Sequence, residues 1–387
     1  MNSIPHKRLS AFYFWYYGLL GILHPFWPIF LSHKHFTPGE IGLLLAIQMG
    51  TRIVSPNLWG ALADATGQRL GTIRLGAAFA CLCFAGIFAG DSFALMALVM
   101  AGYSFFWNAV MPQFEALTLD YLHREPERYS RIRLWGSVGF IIAVMVGGVW
   151  FEARIEDFRI AGLVVLAMIW LSSLMVPAPD FRRPTPRSGT FGRILRQKPV
   201  LAFLAISCLL QVAHGIYYAF FSLQMEAAGY GRVAIGTYWA LGVVAEIVLF
   251  LVMHRLMTNR SLWWIMMLSL SLTVVRWLLI SYFTADPVIL FAAQALHAFS
   301  FGACHAVSME YIRRFFPPEN RIQGQAIYTA FSFGLGGAVG SLLGGAIWTL
   351  NPDLTFNVAA LITAIAVYIA YRGLNHRTVG SGAGVMD

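Results

Sequence analysis

Charge is what this sequence has least of. Only 12% of its 387 residues are Asp, Glu, Lys or Arg, about half the share found in an average soluble domain. An ordinary water-soluble globule is thereby excluded. Cysteine is sparse too: Cys81, Cys83, Cys208 and Cys304 lie in apolar stretches, at spacings that suit neither a metal site nor a disulfide framework. They read as packing residues. The chain also lacks a Ser/His/Asp constellation and a phosphate-cradling glycine loop. No metal and no cofactor is expected.

What is abundant is apolar sequence, 58% of the residues, in runs of about 20, the length that crosses a bilayer. Such runs lie near 10–31, 39–62, 70–90, 93–121, 131–151, 160–177, 200–223, 233–254, 262–282, 287–313, 323–349 and 354–372. The expected fold is therefore an all-α integral membrane protein with twelve transmembrane helices in two six-helix bundles. Residues 1–177 form the N-terminal bundle and 200–372 the C-terminal one. Between them 178–199, "APDFRRPTPRSGTFGRILRQKP", reads as a cytoplasmic linker, and 373–387 as a flexible cytoplasmic tail.

The net charge of +9 invites a nucleic-acid partner, but its distribution argues against one. With the N-terminus inside, 21 of the 27 basic residues fall on the cytoplasmic side, four (Lys34, Arg154, Arg159, Arg232) on the other, and Arg52 and Arg276 within spans. This asymmetry predicts both termini in the cytoplasm. The start "MNSIPHKRLSAFYFWYYGLLG" has no small-residue cleavage site before it is long enough to span, so it reads as a first helix. The expected location is the inner membrane, with the lipid bilayer as partner, no nucleic acid, and a monomeric state.

The halves resemble each other. "IGLLLAIQMGTRIV" (41–54) aligns with "IGTYWALGVVAEIV" (235–248), and "SRIRLWGSVGF" (130–140) with "NRIQGQAIYTA" (320–330). Weak internal symmetry of this kind marks transporters built from repeats. It places Arg52 and Glu246 at equivalent positions.

Ionisable residues inside a membrane are costly and point to function. The spans hold Arg52 and Arg276, with Arg133 at the cytoplasmic start of one, against Glu115, Asp120 and Glu246, with Glu310 near a cytoplasmic end. Glu115 and Arg133 lie on adjacent antiparallel helices that can bring them together; the competing reading makes Arg133 a boundary charge snorkelling to the surface. One span carries Gln294, His297 and His305 in a narrow helical sector, and another carries Gln211, His214 and Tyr218. Histidine beside a carboxylate is suited to carry a coupling proton, the alternative being interhelical hydrogen bonding. The run "FYFWYY" (12–17) covers every face of its helix, for packing or for an aromatic pocket.

"GALADATGQRLG" (60–71) resembles the signature loop of the major facilitator superfamily, with Gly60, Asp64, Gly67 and Arg69 matching and Ala65 and Gln68 standing where the pattern has basic residues. The resemblance implies that Gly60 allows close helix approach and that Asp64 helps latch one conformation. "PQFEA" (112–116), "SRIRLWGSVGF" and "LHAFSF" (296–301) resemble the branch containing phenylpropionate permeases, related to lactose-permease and nucleoside–proton symporters. The lactose-permease pattern implies a substrate-binding pair at Glu115 and Arg133. It also implies a coupling group at Glu246, Arg276 and His297, in which protonation frees Arg276 from a carboxylate. Ser300 and Gln294 depart from that pattern, standing where it has a carboxylate and a lysine.

The reading that follows is a transporter and not an enzyme: a proton-coupled symporter importing a small organic solute by alternating access, best an aromatic carboxylate such as 3-phenylpropionate. Arg52, Glu115, Arg133, His214 and Tyr218 are the expected substrate residues, and Glu246, Arg276, His297, His305 and Glu310 the proton-coupling ones, the proton being the coupling ion. A neutral sugar or nucleoside is the alternative substrate. A membrane sensor, or an acyltransferase using His297 or His305 as base, is the alternative class.

Overall fold

Helix starts are written in the capping residues. Thr37 and Glu40 form a reciprocal capping box, with Pro38 in the first turn. Ser92, Ser261 and Asp286 each accept backbone N–H groups at the head of a later helix. The computed structural model describes residues 4–123, 125–178 and 191–374. Most of the expected linker, 179–190, and the tail beyond 374 lie outside the described residues.

Twelve long helices result: α1 His6–His33, α2 Pro38–Thr66, α3 Arg69–Phe88, α4 Phe93–Tyr121, α5 Tyr129–Ala153, α6 Ile155–Met175, α7 Lys198–Ala227, α8 Arg232–Asn259, α9 Leu262–Phe283, α10 Pro287–Phe315, α11 Pro318–Leu350 and α12 Pro352–Gly373. There is no strand among the described residues. Ten of the helices carry a long apolar window; α1 and α2 do not. In α1 tyrosines, His24 and two prolines dilute the apolar character, and in α2 Gln48, Arg52, Asn57 and Asp64 do.

The described residues divide into two compact units, 4–178 with Phe221–Ala240, and 191–220 with 241–374. The division differs from the midpoint of the sequence in the segment Phe221–Ala240. There Arg232 donates to the Phe151 carbonyl at 2.8 Å and the Val233 N–H to the Glu152 carboxylate at 3.0 Å.

In the first unit α1 packs chiefly on α5 and α6. The aromatic run resolves into an inner and an outer set. Phe12 stacks on Phe114 of α4 at 3.6 Å, Tyr13 donates to Thr118 and Tyr16 stacks on Trp107 at 4.7 Å. Phe14 and Trp15 are only half-buried. At one end of this unit Lys34 bridges Asp91 (3.0 Å) and Glu156 (2.9 Å), which Arg159 also contacts. The hydrogen bond to Glu156 holds Lys34 above the usual lysine range.

In the second unit α9 packs on α12, and α7 meets α11 so closely that a Cβ on Gly340 would lie 2.0 Å from the Val212 carbonyl oxygen. Two helices of this unit are broken in mid-course. The pentapeptide AFSFG occurs at 298–302 in α10 and again at 330–334 in α11, and each copy sits in a π-helical turn, Ala298–Ala303 and Ala330–Gly336. Such turns gather at functional sites.

Candidate substrate and proton sites

Arg52 lies 14 residues after Pro38 in α2, about 20 Å along the axis, and is half-buried. Its Nε donates to Asn108 Oδ1 of α4 at 3.1 Å, and its guanidinium sits 6.0 Å from the Trp107 ring centre. Asn108 Nδ2 in turn donates to the Gln48 carbonyl (3.0 Å) and to Thr51 Oγ1 (2.8 Å). With both amide hydrogens used in this way, the carbonyl is aimed at Arg52. No carboxylate lies within 4.0 Å of Arg52 among the described residues. Asp120, one sequence-level candidate for that role, is bound to Arg69 at 2.7 Å.

A second cation stands nearby on α5. Arg133 lies over the Tyr17 ring at 3.8 Å and 5.9 Å from Tyr13. Glu115 accepts from Tyr129 Oη at 3.4 Å and interacts electrostatically with Arg133. The expected Glu115–Arg133 pair is therefore assembled as neighbours but not closed into a contact within 4.0 Å. Of the aromatic run, only Tyr17 and the outer pair Phe14 and Trp15 escape full burial.

The second unit holds a separate polar cluster. Arg276 is fully buried. It donates to the Ala293 carbonyl (3.2 Å), Ser300 Oγ (3.0 Å) and Gln294 Oε1 (3.0 Å), between the rings of Tyr217 and Trp277. The carboxylate partner expected for it is replaced by neutral acceptors, supplied by the two residues that depart from the lactose-permease pattern. Tyr217 Oη also donates to Gln294 Oε1, at 3.2 Å. His297 Nε2 lies 2.7 Å from Glu246 Oε1, and among the described residues its Nδ1 has no hydrogen-bond partner.

His214, expected among the substrate residues, lies in this cluster. Its Nδ1 meets the Leu210 carbonyl at 2.8 Å, and its ring lies 6.1 Å from His297 and 5.9 Å from Tyr218. The Phe301 ring stacks on both His297 and His305. His305 walls a small cavity of about 10 Å³ with Ser207, Gln211, Ser308 and Tyr328, room for one water. Glu310 stands apart from the cluster, its carboxylate held by Arg313 (2.6 Å) and Arg314 (2.8 Å) at the exposed end of α10. The two arginines one turn away in its own helix claim it.

The 60–71 segment, expected as a loop, is mostly helical: residues 60–66 close α2, 69–71 open α3, and only Gly67 and Gln68 connect them. Gly67 ends α2 in the left-handed conformation at φ 71°, where glycine carries no steric penalty. Gly60 faces Gln113 of α4, Arg69 is tied to Asp120, and Asp64 is exposed with no ion-pair partner among the described residues. Asn108 was missed in the sequence. Its signal was an amide within an apolar run, seven residues before Glu115 and so on the same helix face.

Twelve membrane-length helices with buried arginine, histidine and glutamate clusters define a multi-pass membrane transporter. The model of the MFS_1-like family, of the major facilitator superfamily, matches residues 6–358, and the chain belongs to that family. It is 31% identical over 375 residues to the probable 3-phenylpropionic acid transporter of Escherichia coli K12, covering 94% of this chain and 96% of that one. It is 25% identical over 382 residues to the maltose permease of Geobacillus stearothermophilus, covering 95% of each. Among solved structures, a mutant of the nucleoside transporter NupG superposes with a TM-score of 0.85 at 16% identity, over 96% of this chain and all of the other. These relatives are transporters and not enzymes, so the sensor and acyltransferase alternatives fall.

Proposed function

We propose that this protein is a proton-coupled symporter that imports an aromatic carboxylate such as 3-phenylpropionate across the inner membrane by alternating access, as a monomer with both termini cytoplasmic. The observation that carries the reading is Arg52, a cation in mid-membrane with no carboxylate partner among the described residues. The 31% identity to a probable 3-phenylpropionic acid transporter supports the same substrate. A guanidinium matches a carboxylate in bidentate fashion, so Arg52 and Arg133 bind the acid, while Glu115 and Tyr129 position Arg133. His214 and Tyr218 belong with the coupling side. The proton is carried by the Glu246–His297 pair, with the Arg276 charge near both.

A neutral sugar or nucleoside is the second reading, favoured by the likeness to a maltose permease and to a nucleoside transporter structure. The test is uptake of labelled 3-phenylpropionate into proteoliposomes, with and without an inward proton gradient, for wild type, Arg52→Gln and Arg133→Lys. Gradient-driven uptake that both variants lose supports the reading. Wild-type indifference to the acid together with uptake of a nucleoside or sugar overturns it.

A further inference from the structure

The side chain that orients Arg52 is a neutral amide and not a carboxylate. Asn108 is only 5% exposed, and every polar atom of its amide is engaged: Oδ1 with Arg52 Nε, Nδ2 with Gln48 and Thr51. Thr51 is braced by Ser104 Oγ at 3.0 Å, so the clamp extends over about one turn each of α2 and α4. Among the described residues neither Nη of Arg52 makes a hydrogen bond. The membrane-embedded charges of this unit do not balance. Asp120 is neutralised by Arg69, and one carboxylate, Glu115, remains against the two arginines 52 and 133. One positive charge is left over, flanked by Trp107.

We propose that Asn108 is a positioning residue that fixes the Arg52 guanidinium while leaving its charge uncompensated, and that the two free Nη groups are the seat of a substrate carboxylate. The proposal rests on the organic-anion reading above. An aspartate at 108 would still accept from Arg52 Nε, but it would lose the donor that Nδ2 gives to the Gln48 carbonyl and would form an ion pair that the substrate has to break, in surroundings where charge pairs are strong. The amide supplies direction without competition. Discrimination then falls on charge: an acid engages Arg52, whereas its amide analogue of the same shape does not.

The test compares wild type, Asn108→Asp and Asn108→Ala in proteoliposomes, with 3-phenylpropionate and 3-phenylpropionamide as probes. In parallel, the rate at which p-hydroxyphenylglyoxal modifies Arg52 is followed by mass spectrometry. The expected result for Asn108→Asp is an affinity for the acid weakened about tenfold or more, the change a newly compensated charge produces, together with slowed modification of Arg52. Asn108→Ala weakens the acid while Arg52 is modified at the wild-type rate or faster. This second variant keeps the test open if the aspartate variant does not fold.

Wild-type affinity for the acid in Asn108→Asp, or unchanged Arg52 modification in it, overturns the clamp and leaves the substrate reading standing. If wild type moves no 3-phenylpropionate while Arg52 is modified readily and Asn108→Asp protects it, the substrate reading fails and the clamp stands.

Discussion

Gln294 accepts two hydrogen bonds with one oxygen, from Arg276 Nη2 at 3.0 Å and from Tyr217 Oη at 3.2 Å, and is fully buried. Replacing it with leucine leaves a guanidinium N–H and a phenol O–H facing hydrocarbon. A hydrogen bond to a charged group is worth about 1.5–3 kcal/mol and a neutral one about 1 kcal/mol. Together they put the loss near 3 kcal/mol. Ordinary interhelical hydrogen bonds in membranes average about 0.6 kcal/mol, so Gln294→Leu stands out against that background. Cys304 is buried, so a thiol-reactive fluorophore reports its exposure as the protein unfolds on heating. The expected shift is a midpoint lower by about 5 °C or more. Gln294→Glu, which supplies a carboxylate to the same cation, keeps the wild-type midpoint or raises it. If leucine leaves the midpoint within about 1 °C of wild type, Arg276 is not held by this acceptor and the assignment of the cluster is wrong.

Four further outcomes follow from the same geometry. Glu246→Gln removes the carboxylate partner of His297; gradient-driven uptake is lost while exchange of labelled for unlabelled substrate continues, since exchange needs no net proton release. Glu310→Gln leaves uptake at the wild-type level, because Arg313 and Arg314 engage that carboxylate at an exposed helix end. Gly340→Ala forces α7 and α11 apart, at a cost of about 1–3 kcal/mol, and lowers the yield of folded protein on size exclusion, whereas Gly39→Ala, with open space around it, is silent. Lys34→Gln costs about 0.5 kcal/mol. Since the hydrogen bond to Glu156 raises Lys34, the wild-type contribution is full below the ordinary lysine range and fades as pH climbs above it, a slope the variant lacks in thermal melts across alkaline pH.

The bilayer made the architecture legible. Lipid demands about 20 apolar residues per crossing, and that demand shows in composition before any contact is known. Ionisable residues in such runs were equally visible, among them Glu246 and His297, which lie 2.7 Å apart. Partners were harder to read, because charge invites a search for opposite charge. Arg52 and Arg276 are held by Asn108, Gln294, Ser300 and a backbone carbonyl, groups that draw no attention in a tally of carboxylates. The local pairing of Glu310 with Arg313 and Arg314 was readable at helical spacing. The stacking of the Phe301 ring on both His297 and His305 was not. A helical sector drawn at 3.6 residues per turn holds only for a regular helix, and the π-turn at Ala298–Ala303 rotates everything beyond it by about 100° per extra residue.

That same turn has a mechanical consequence. Among the described residues π-turns occur in α10 and α11 alone, and in each the AFSFG copy puts a buried serine and a buried glycine at the break. Broken backbone is tolerated at membrane depth only where protein surrounds it. A helix with its hydrogen-bond ladder interrupted at one known level is a jointed rod, stiff on either side and compliant at the joint. Two such rods lie in the unit that contains Glu246, His297 and Arg276, with their joints in the same unit as the acid–histidine cluster. The helices around Arg52 lose ladder hydrogen bonds in a different way, at Pro25 and Pro28 of α1, Pro56 of α2 and Pro112 of α4, so each unit has its own points of compliance.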